Sequence, residues 1–356
     1  MKREIKILVA NVELPSKKIG SWTTRITKFI SNNQIFDYIL SPSSETDKNI
    51  FCKKRKYIIG HRRIRNFMFR NWIAKDYLKS AILLSKQTEK LTIVILDDVH
   101  LLEAFALNRG LFNSEINLIF SFHGFNLNAK NHILQKTDKI LFQTIASYLS
   151  SKNNYFSFTP EVKIIGNGVD SSVFFPLEDK VKQNKKIELG FKKEEKIITW
   201  LANDRPIKGL HIFLKFAKII SNKYSNIRIV IIGTEKNIST KDITYLGRMP
   251  NNETAKYLQI SDFFIFTTLC KEGFALSPIE ALKCGNSIIS TNIGSLPEAL
   301  NNLKNILFVD KPNIVDEWVK AFDKLYNNSK ENVSKAELDL IHNYFNWELK
   351  FKNAIL

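Results

Sequence analysis

Residues 271–285 read KEGFALSPIEALKCG. Two glutamates, Glu272 and Glu280, stand eight positions apart around a serine–proline pair, shortly after the apolar run Asp262–Phe266. A run of Phe and Ile without alternation suits a strand buried on both faces of a parallel sheet. Ser277, Pro278 and Glu280 have the spacing of an N-cap, a first helical residue and the third helical residue, which predicts a capping box with proline at its start. Gly285 supplies the expected helix stop. A helix of about two turns does not persist on propensity alone, so packing must hold it. The stretch therefore reads as strand, loop (Thr267–Ala275) and short packed helix, which is one unit of an α/β fold. A helix start presenting backbone N–H groups at the carboxyl end of a strand is an anion site. Capping accounts for Ser277 and Glu280 without a ligand, but it leaves Glu272 and Gly273 unexplained.

The same alternation extends in both directions. Short apolar runs at Ile5–Ala10, Tyr38–Leu40, Tyr57–Ile59, Thr92–Leu96, Leu118–Phe122, Lys139–Gln143 and Val162–Ile165 precede a polar stretch, 171–196. A second series follows at Ile197–Leu201, Ile227–Ile232, Thr244–Leu246, Phe263–Phe266, Ser287–Ser290 and Ile306–Val309. Helical patterns lie between them, clearest at 209–221 and 252–260. Strand–helix alternation that restarts predicts two doubly wound α/β domains. The expected limits are 1–170 for the first domain, 171–335 for the second, and 336–356 for a C-terminal helix returning to the first.

Asn203–Leu210, NDRPIKGL, repeats the logic of the opening stretch. A strand ends, a loop carries Arg205 and Lys208, and Gly209 opens a helix. Arginine grips two phosphate oxygens at once and lysine adds a mobile point charge. Taken alone, these are two surface cations. Beside the loop at Glu272 they become candidates for neutralising a diphosphate.

The 356-residue chain is 44% hydrophobic and 25% charged, as in a globular protein. It holds no apolar run long enough to span a membrane, and its N-terminus, MKREIKILVANVELP, reads as a first strand and not as a signal peptide. Cys52, Cys270 and Cys284 form no CxxC pair, which favours a reduced, cytoplasmic setting. The net charge is +18, and residues 1–170 carry +12 of it (26 Lys and Arg against 14 Asp and Glu). The densest segment, 53–75, has nine Lys or Arg, one His and no acid, with Phe67, Phe69 and Trp72 interleaved. It fits a solvated surface, a contact to an anionic acceptor, or docking on the anionic inner face of a membrane.

KEGFALSPIEALKCGNSIISTNIGSLPEAL resembles the signature of the family 4 retaining glycosyltransferases, with Glu272 and Glu280 as its Glu-x7-Glu pair. DRPIKGL is similar to that family's phosphate-binding loop, and IIGNGVDSSVFFP (164–176) to its Asn-Gly-Val-Asp segment near the interdomain crossover. SFHG (121–124) resembles its central His-Gly pair, and KKIGSWTTRI (17–26) its N-terminal glycine loop. Gly20 stands alone where many members have two glycines, and Ala202–Arg205 lacks the usual Gly-Arg start. The order of motifs covers nearly the whole chain. The resemblance implies the GT-B fold, in which two Rossmann-like domains face each other across a cleft.

It also implies a nucleotide-diphosphate sugar as donor, a glycan or lipid-linked acceptor, no cofactor and no essential metal. Arg205 and Lys208 would neutralise the leaving diphosphate, and the backbone of Gly273, Phe274, Ala275, Leu276 and Ser277 would bind it. Glu280 would hold the ribose, Glu272 the transferred sugar, and Arg248 with Met249 the base. Gly20 would let the first domain approach the diphosphate, and His123 would stand beside the sugar. Asp97 and Asp98 end a strand, form no Asp-x-Asp metal motif, and are candidates for acceptor contact. The expected chemistry is transfer with retention of anomeric configuration, in polysaccharide or glycolipid synthesis. Three other classes remain, one of them a degenerate, non-catalytic sugar-nucleotide binder, against which Arg205, Lys208, Glu272 and Glu280 are all present. A GT-B nucleotide-sugar epimerase would use the same diphosphate site without an acceptor. A basic nucleic-acid-binding protein would use the charge, but no zinc spacing or RNA-binding motif is present.

Overall fold

The computed structural model describes residues 2–16, 21–53, 74–235, 239–240, 242–300, 303–328, 331 and 333–356. Contacts divide the chain into unit 1 (1–166 with 348–356) and unit 2 (167–347). Unit 1 runs β1 (Lys2–Val9), α1 (Ser21–Asn32), β2 (Tyr38–Ser41), β3 (Asn49–Phe51), α2 (Ala74–Ser85), β4 (Thr88–Leu96), α3 (Val99–Leu107), β5 (Glu115–Ser121), α4 (Asn131–Leu134), β6 (Lys139–Phe142), α5 (Ile145–Lys152) and β7 (Glu161–Ile164). Unit 2 follows with α6 (Asp179–Glu188), β8 (Lys196–Leu201), α7 (Leu210–Lys223), β9 (Ile227–Ile232), β10 (Ile243–Tyr245), α8 (Asn251–Ile260), β11 (Phe263–Phe266), α9 (Leu276–Lys283), β12 (Ser287–Thr291), α10 (Leu296–Leu300), β13 (Ile306–Val309), α11 (Val315–Asn327) and α12 (Lys335–Leu340). Helix α13 (Tyr344–Ile355) begins in unit 2 and ends in unit 1.

Among the described residues each unit holds one sheet, of order β3-β2-β1-β4-β5-β6-β7 in unit 1 and β10-β9-β8-β11-β12-β13 in unit 2. Neighbouring strands pair in parallel throughout. Both are doubly wound Rossmann-like sheets. The direction of winding reverses between β1 and β4 in unit 1, and between β8 and β11 in unit 2. Ligands of open α/β sheets bind beyond the carboxyl ends of the strands at that reversal.

The strands lack alternating polarity because both faces are covered. In β11, Phe263 and Ile265 face one core with Trp200, Ile231, Phe213 and Phe216, closed by Trp318 and Phe322 of α11. Phe264 and Phe266 face the other, with Ile279, Ala281 and Leu282 of α9 and Leu258 of α8. Unit 1 does the same on one face with Ile7, Ile93 and Phe120 against Tyr77 of α2 and Phe105 of α3. Each such buried side chain stabilises the fold by about 1.5–3 kcal/mol.

The strand expected at Tyr57–Ile59, and all of segment 53–75 except Lys53, Ala74 and Lys75, lie outside the described residues. The third strand in order is β3, whose three residues carry too little apolar pattern to be read from sequence. The division between units falls at Gly166–Asn167, four residues before the expected 170–171. The return to unit 1 starts at Glu348 and not at 336, because residues 335–347 are tied to unit 2. Buried Lys283 donates to the carbonyls of Leu338 (2.7 Å) and Ile341 (2.9 Å). Val169 N–H donates to His342 O (2.8 Å), and Tyr344 N–H donates to Val169 O (3.2 Å). Gly168 permits this pairing, since a Cβ there would lie 2.7 Å from Tyr344 Cα. From Glu348 on, the helix joins unit 1. Phe351 packs edge-on to Phe29 at 4.9 Å, and Lys139 Nζ donates to Ala354 O at 3.0 Å. Among the described residues no helix is long and apolar enough to cross a membrane.

Candidate functional site

The reversal in unit 2 brings the loops after β8 and β11 together. After β8, Pro206–Lys208 form one 3₁₀ turn, and Gly209 follows in the left-handed conformation (φ 73°). A Cβ on Gly209 would lie 1.9 Å from Thr267 O, so the two loops meet backbone to backbone. Thr267 Oγ1 accepts from Trp200 Nε1 (3.0 Å) and donates to Gly209 O (2.9 Å). Leu269 N–H donates to Ile207 O at 2.8 Å.

That seam places Lys208 against Glu272. Lys208 Nζ is 2.5 Å from Glu272 Oε1, and both side chains are largely withdrawn from solvent. An ion pair shielded from water is screened less than one on the surface. Arg205 stands exposed at the start of the same turn, with Nε donating to Asn203 Oδ1 at 3.0 Å. The loop after β12 fixes the other side of Glu272. Ser295 Oγ donates to Glu272 O at 2.6 Å. Gly294 (φ 64°) leaves no room for a Cβ beside Glu272 N, at 2.8 Å.

The helix start differs from the sequence expectation. Helix α9 begins at Leu276 with Ala275 as N-cap and no side-chain cap bond. Ser277 is therefore its second residue, Pro278 its third, and no capping box forms. Packing decides the start: Phe274 and Ile279 are buried together with the β11 phenylalanines Phe264 and Phe266, which winds the chain into helix earlier than Ser277. Proline is tolerated because first-turn amides have no intrahelical partner anyway. Helix N-termini carry about half a positive charge, and among the described residues no side-chain cap takes the amides of Leu276 and Ser277, so they can receive an anion. The far end behaves as read. Gly285 (φ 84°) donates to Leu282 O and Asn286 N–H to Ala281 O, a Schellman stop. Glu280 is buried, at 4% exposure, on the second turn of α9.

Arg248 and Met249 follow β10. Arg248 forms an exposed ion pair with Glu235 at 3.4 Å. Met249 packs against Ile197, Val230, Ile232 and Ile260. Gly20 lies outside the described residues. His123 belongs to unit 1, at the end of β5. Its N–H donates to Asp97 Oδ1 (2.8 Å), Nε2 lies 3.2 Å from Ser121 Oγ, and its ring meets Trp22 edge-on at 5.3 Å. Its Nδ1 is buried and has no hydrogen-bond partner among the described residues. Burial first, and the Arg25 guanidinium second, push His123 down to about 3, so the ring is neutral at physiological pH. Desolvation of the carboxyl by the protein around it, with the charge of Asp98, raises Asp97 to about 6 against the His123 N–H that lowers it, although the residue as a whole is exposed. Asp98 caps α3 through the amides of His100 and Leu101. Among the described residues no three His, Cys, Asp or Glu side chains stand together as metal ligands.

Thr268, Cys270, Gly294 and Ser295 were not singled out from sequence. Gly294–Ser295 carried a usable signal, a Gly-Ser pair following a strand and opening a helix. Thr268 and Cys270 carried none.

Two outcomes are expected. Gly209→Ala should cost more than about 2 kcal/mol in urea denaturation, because a strained φ and a backbone clash combine. Gly190→Ala, at φ 86° with nothing within 4 Å, should cost only about 1 kcal/mol. The depressed His123 gives stability that is complete above about pH 6.5 and is lost as pH falls towards 3. Asp97 acts with the opposite sign below pH 6 and is present in both proteins compared. The stability advantage of wild type over His123→Gln should therefore shrink by roughly 1 kcal/mol per pH unit between pH 6 and 4.

Residues 181–338 match the family model "Glycosyl transferases group 1". Among curated proteins, D-inositol 3-phosphate glycosyltransferase of Corynebacterium urealyticum is 22% identical over 245 residues, covering 64% of this chain and 57% of the relative. The chain thus spans a little over half the length of that relative. Among solved structures, sucrose-phosphate synthase from Thermosynechococcus elongatus aligns with TM-score 0.74 at 12% identity, covering 98% of both chains. Anabaena HepE, solved in complex with UDP and glucose, aligns with TM-score 0.69 at 11% identity, covering 99% of both. Residues 181–338 therefore carry a glycosyl transferases group 1 domain, in a chain whose two Rossmann-like units have the GT-B type of fold.

Proposed function

We propose that this protein is a retaining glycosyltransferase that moves a sugar from a nucleotide-diphosphate sugar to a glycan or lipid-linked acceptor. One observation carries the reading. At the winding reversal of unit 2, Lys208 and Glu272 meet from two different strand-end loops, beside a helix start that has no side-chain cap. A diphosphate fits the cations and the open amides, and a sugar fits the carboxylate.

In this reading Arg205, Lys208 and the amides of Leu276 and Ser277 stabilise the charge that develops on the diphosphate as its bond to the anomeric carbon breaks. Fixed positive groups aimed at developing charge are usually the largest catalytic contribution. The acceptor oxygen bonds to the anomeric carbon on the face the diphosphate leaves. Its proton passes to the departing phosphate oxygen, so no side chain has to act as base. Glu280 holds the ribose, Glu272 the sugar, and Arg248 with Met249 the base. Neutral His123 serves as a hydrogen-bonding group for the sugar or acceptor and not as an acid. Asp97 is an acceptor-side carboxylate. No metal is given a role.

An anionic acceptor is favoured by the +12 of residues 1–170. The names of the inositol-phosphate relative and of the sucrose-phosphate synthase agree with it, each speaking for its own protein. In this reading the charge of segment 53–75 attracts such an acceptor, or the anionic inner face of the membrane when the acceptor is a lipid. The setting is the cytoplasm, in polysaccharide or glycolipid synthesis.

A thermal-shift panel of UDP-, GDP-, ADP- and CMP-sugars should give one stabilising donor; at a hundred times its Kd the gain is about 2.7 kcal/mol. Arg205→Ala and Lys208→Ala should each lower kcat about 10²–10³-fold. Glu280→Ala should lose the thermal shift, and EDTA should leave transfer intact. Donor consumption without any acceptor would favour an epimerase. NMR of the product showing only the inverted anomer would overturn retention.

A further inference from the structure

Glu272 is held by one of its two carboxylate oxygens. Three donors converge on Oε1: Lys208 Nζ at 2.5 Å, Thr268 Oγ1 at 2.9 Å and Cys270 Sγ at 3.3 Å. Among the described residues no donor reaches Oε2. The Thr268 hydroxyl has one proton to give. Its distance to Glu272 is shorter than to Cys270 Sγ (3.2 Å) or Ile207 O (3.5 Å), so the carboxylate receives it. We infer that Thr268 and Cys270 are positioning residues that, with Lys208, saturate Glu272 Oε1 and hold Oε2 out to accept from one hydroxyl of the transferred sugar.

The inference rests on the glycosyltransferase reading above. Its physical basis is preorganisation. A carboxylate with both oxygens free rotates and loses that freedom when it binds a sugar, whereas one pinned through Oε1 has already lost it. The thiol is suited to the task because burial and the Glu272 charge raise it, so it stays protonated and remains a donor at neutral pH. It also carries a natural probe. Cys52 and Cys284 are buried, which leaves Cys270 as the one partly accessible thiol of the chain's three.

The contacts to Oε1 matter only to a ligand that carries a sugar. With the donor found in the panel, Thr268→Val should lower kcat about tenfold, the worth of one hydrogen bond to a charged group. Its affinity for the matching nucleoside diphosphate should stay within about twofold of wild type. Thr268→Ser should restore transfer. Cys270→Ala should lose a few-fold and Cys270→Ser should match or exceed wild type, with unchanged urea midpoints throughout. Intact-mass kinetics with N-ethylmaleimide should show one reactive thiol, slowed more by the sugar nucleotide than by the nucleoside diphosphate. If Thr268→Val transfers like wild type, or weakens the nucleoside diphosphate as much as transfer, or is not rescued by Ser, the inference is overturned alone. A wild type that binds no sugar nucleotide of the panel overturns the glycosyltransferase reading and this inference with it.

Discussion

The site in unit 2 depends on one backbone contact, Gly209 against the carbonyl of Thr267. Strands β8 and β11 are neighbours in the sheet but far apart in sequence, and their following loops leave in opposite winding directions. The winding reversal sets those loops side by side, but nothing in the sheet itself brings them into backbone contact. Gly209 does, because it has no Cβ and adopts a left-handed φ, and the Thr267 hydroxyl locks the approach between Trp200 and the Gly209 carbonyl. With the seam closed, a cation from one loop and a carboxylate from the other share one hydrogen bond.

The consequence is a site that is both charged and rigid. Lys208 and Glu272 satisfy each other, which avoids the cost of leaving either charge withdrawn and unpaired. The loop after β12 adds a third support through Ser295 and Gly294. Helix α9 completes the arrangement by what it lacks, since its start is fixed by buried Phe274 and Ile279 and its first amides are not consumed by a cap. Unit 1 follows a different logic at its own strand ends. There desolvation of the side-chain groups keeps His123 neutral and raises the Asp97 carboxyl, so the groups offered are hydrogen-bonding ones in place of fixed cations.

Much of this was legible in the sequence. Buried parallel strands announce themselves as apolar runs, which is why β11 and β12 are bounded closely by inspection. Arg205, Lys208 and Glu272 stand out because charged residues directly after such runs have little packing reason to be there. The helix start was misread for an equally physical reason. Ser277, Pro278 and Glu280 have the spacing of a capping box, but spacing records only local preference. Phe274 and Ile279 needed the same core, and their burial outweighed a cap worth about 1 kcal/mol. Thr268 and Cys270 were invisible because their meaning lies in which atom they reach. The unit boundary slipped because Val169 pairs with Asn343 and Tyr344, a contact between residues far apart in the chain that no local pattern encodes.

The central claim is that the loops after β8 and β11, with the start of α9, form a single donor site. Hydrogen exchange followed by mass spectrometry, with and without a stabilising sugar nucleotide, tests it most directly. Protection concentrated in peptides covering 203–210 and 268–280 together is the predicted result. Protection of only one of these loops, or of neither while the ligand is bound, would contradict it.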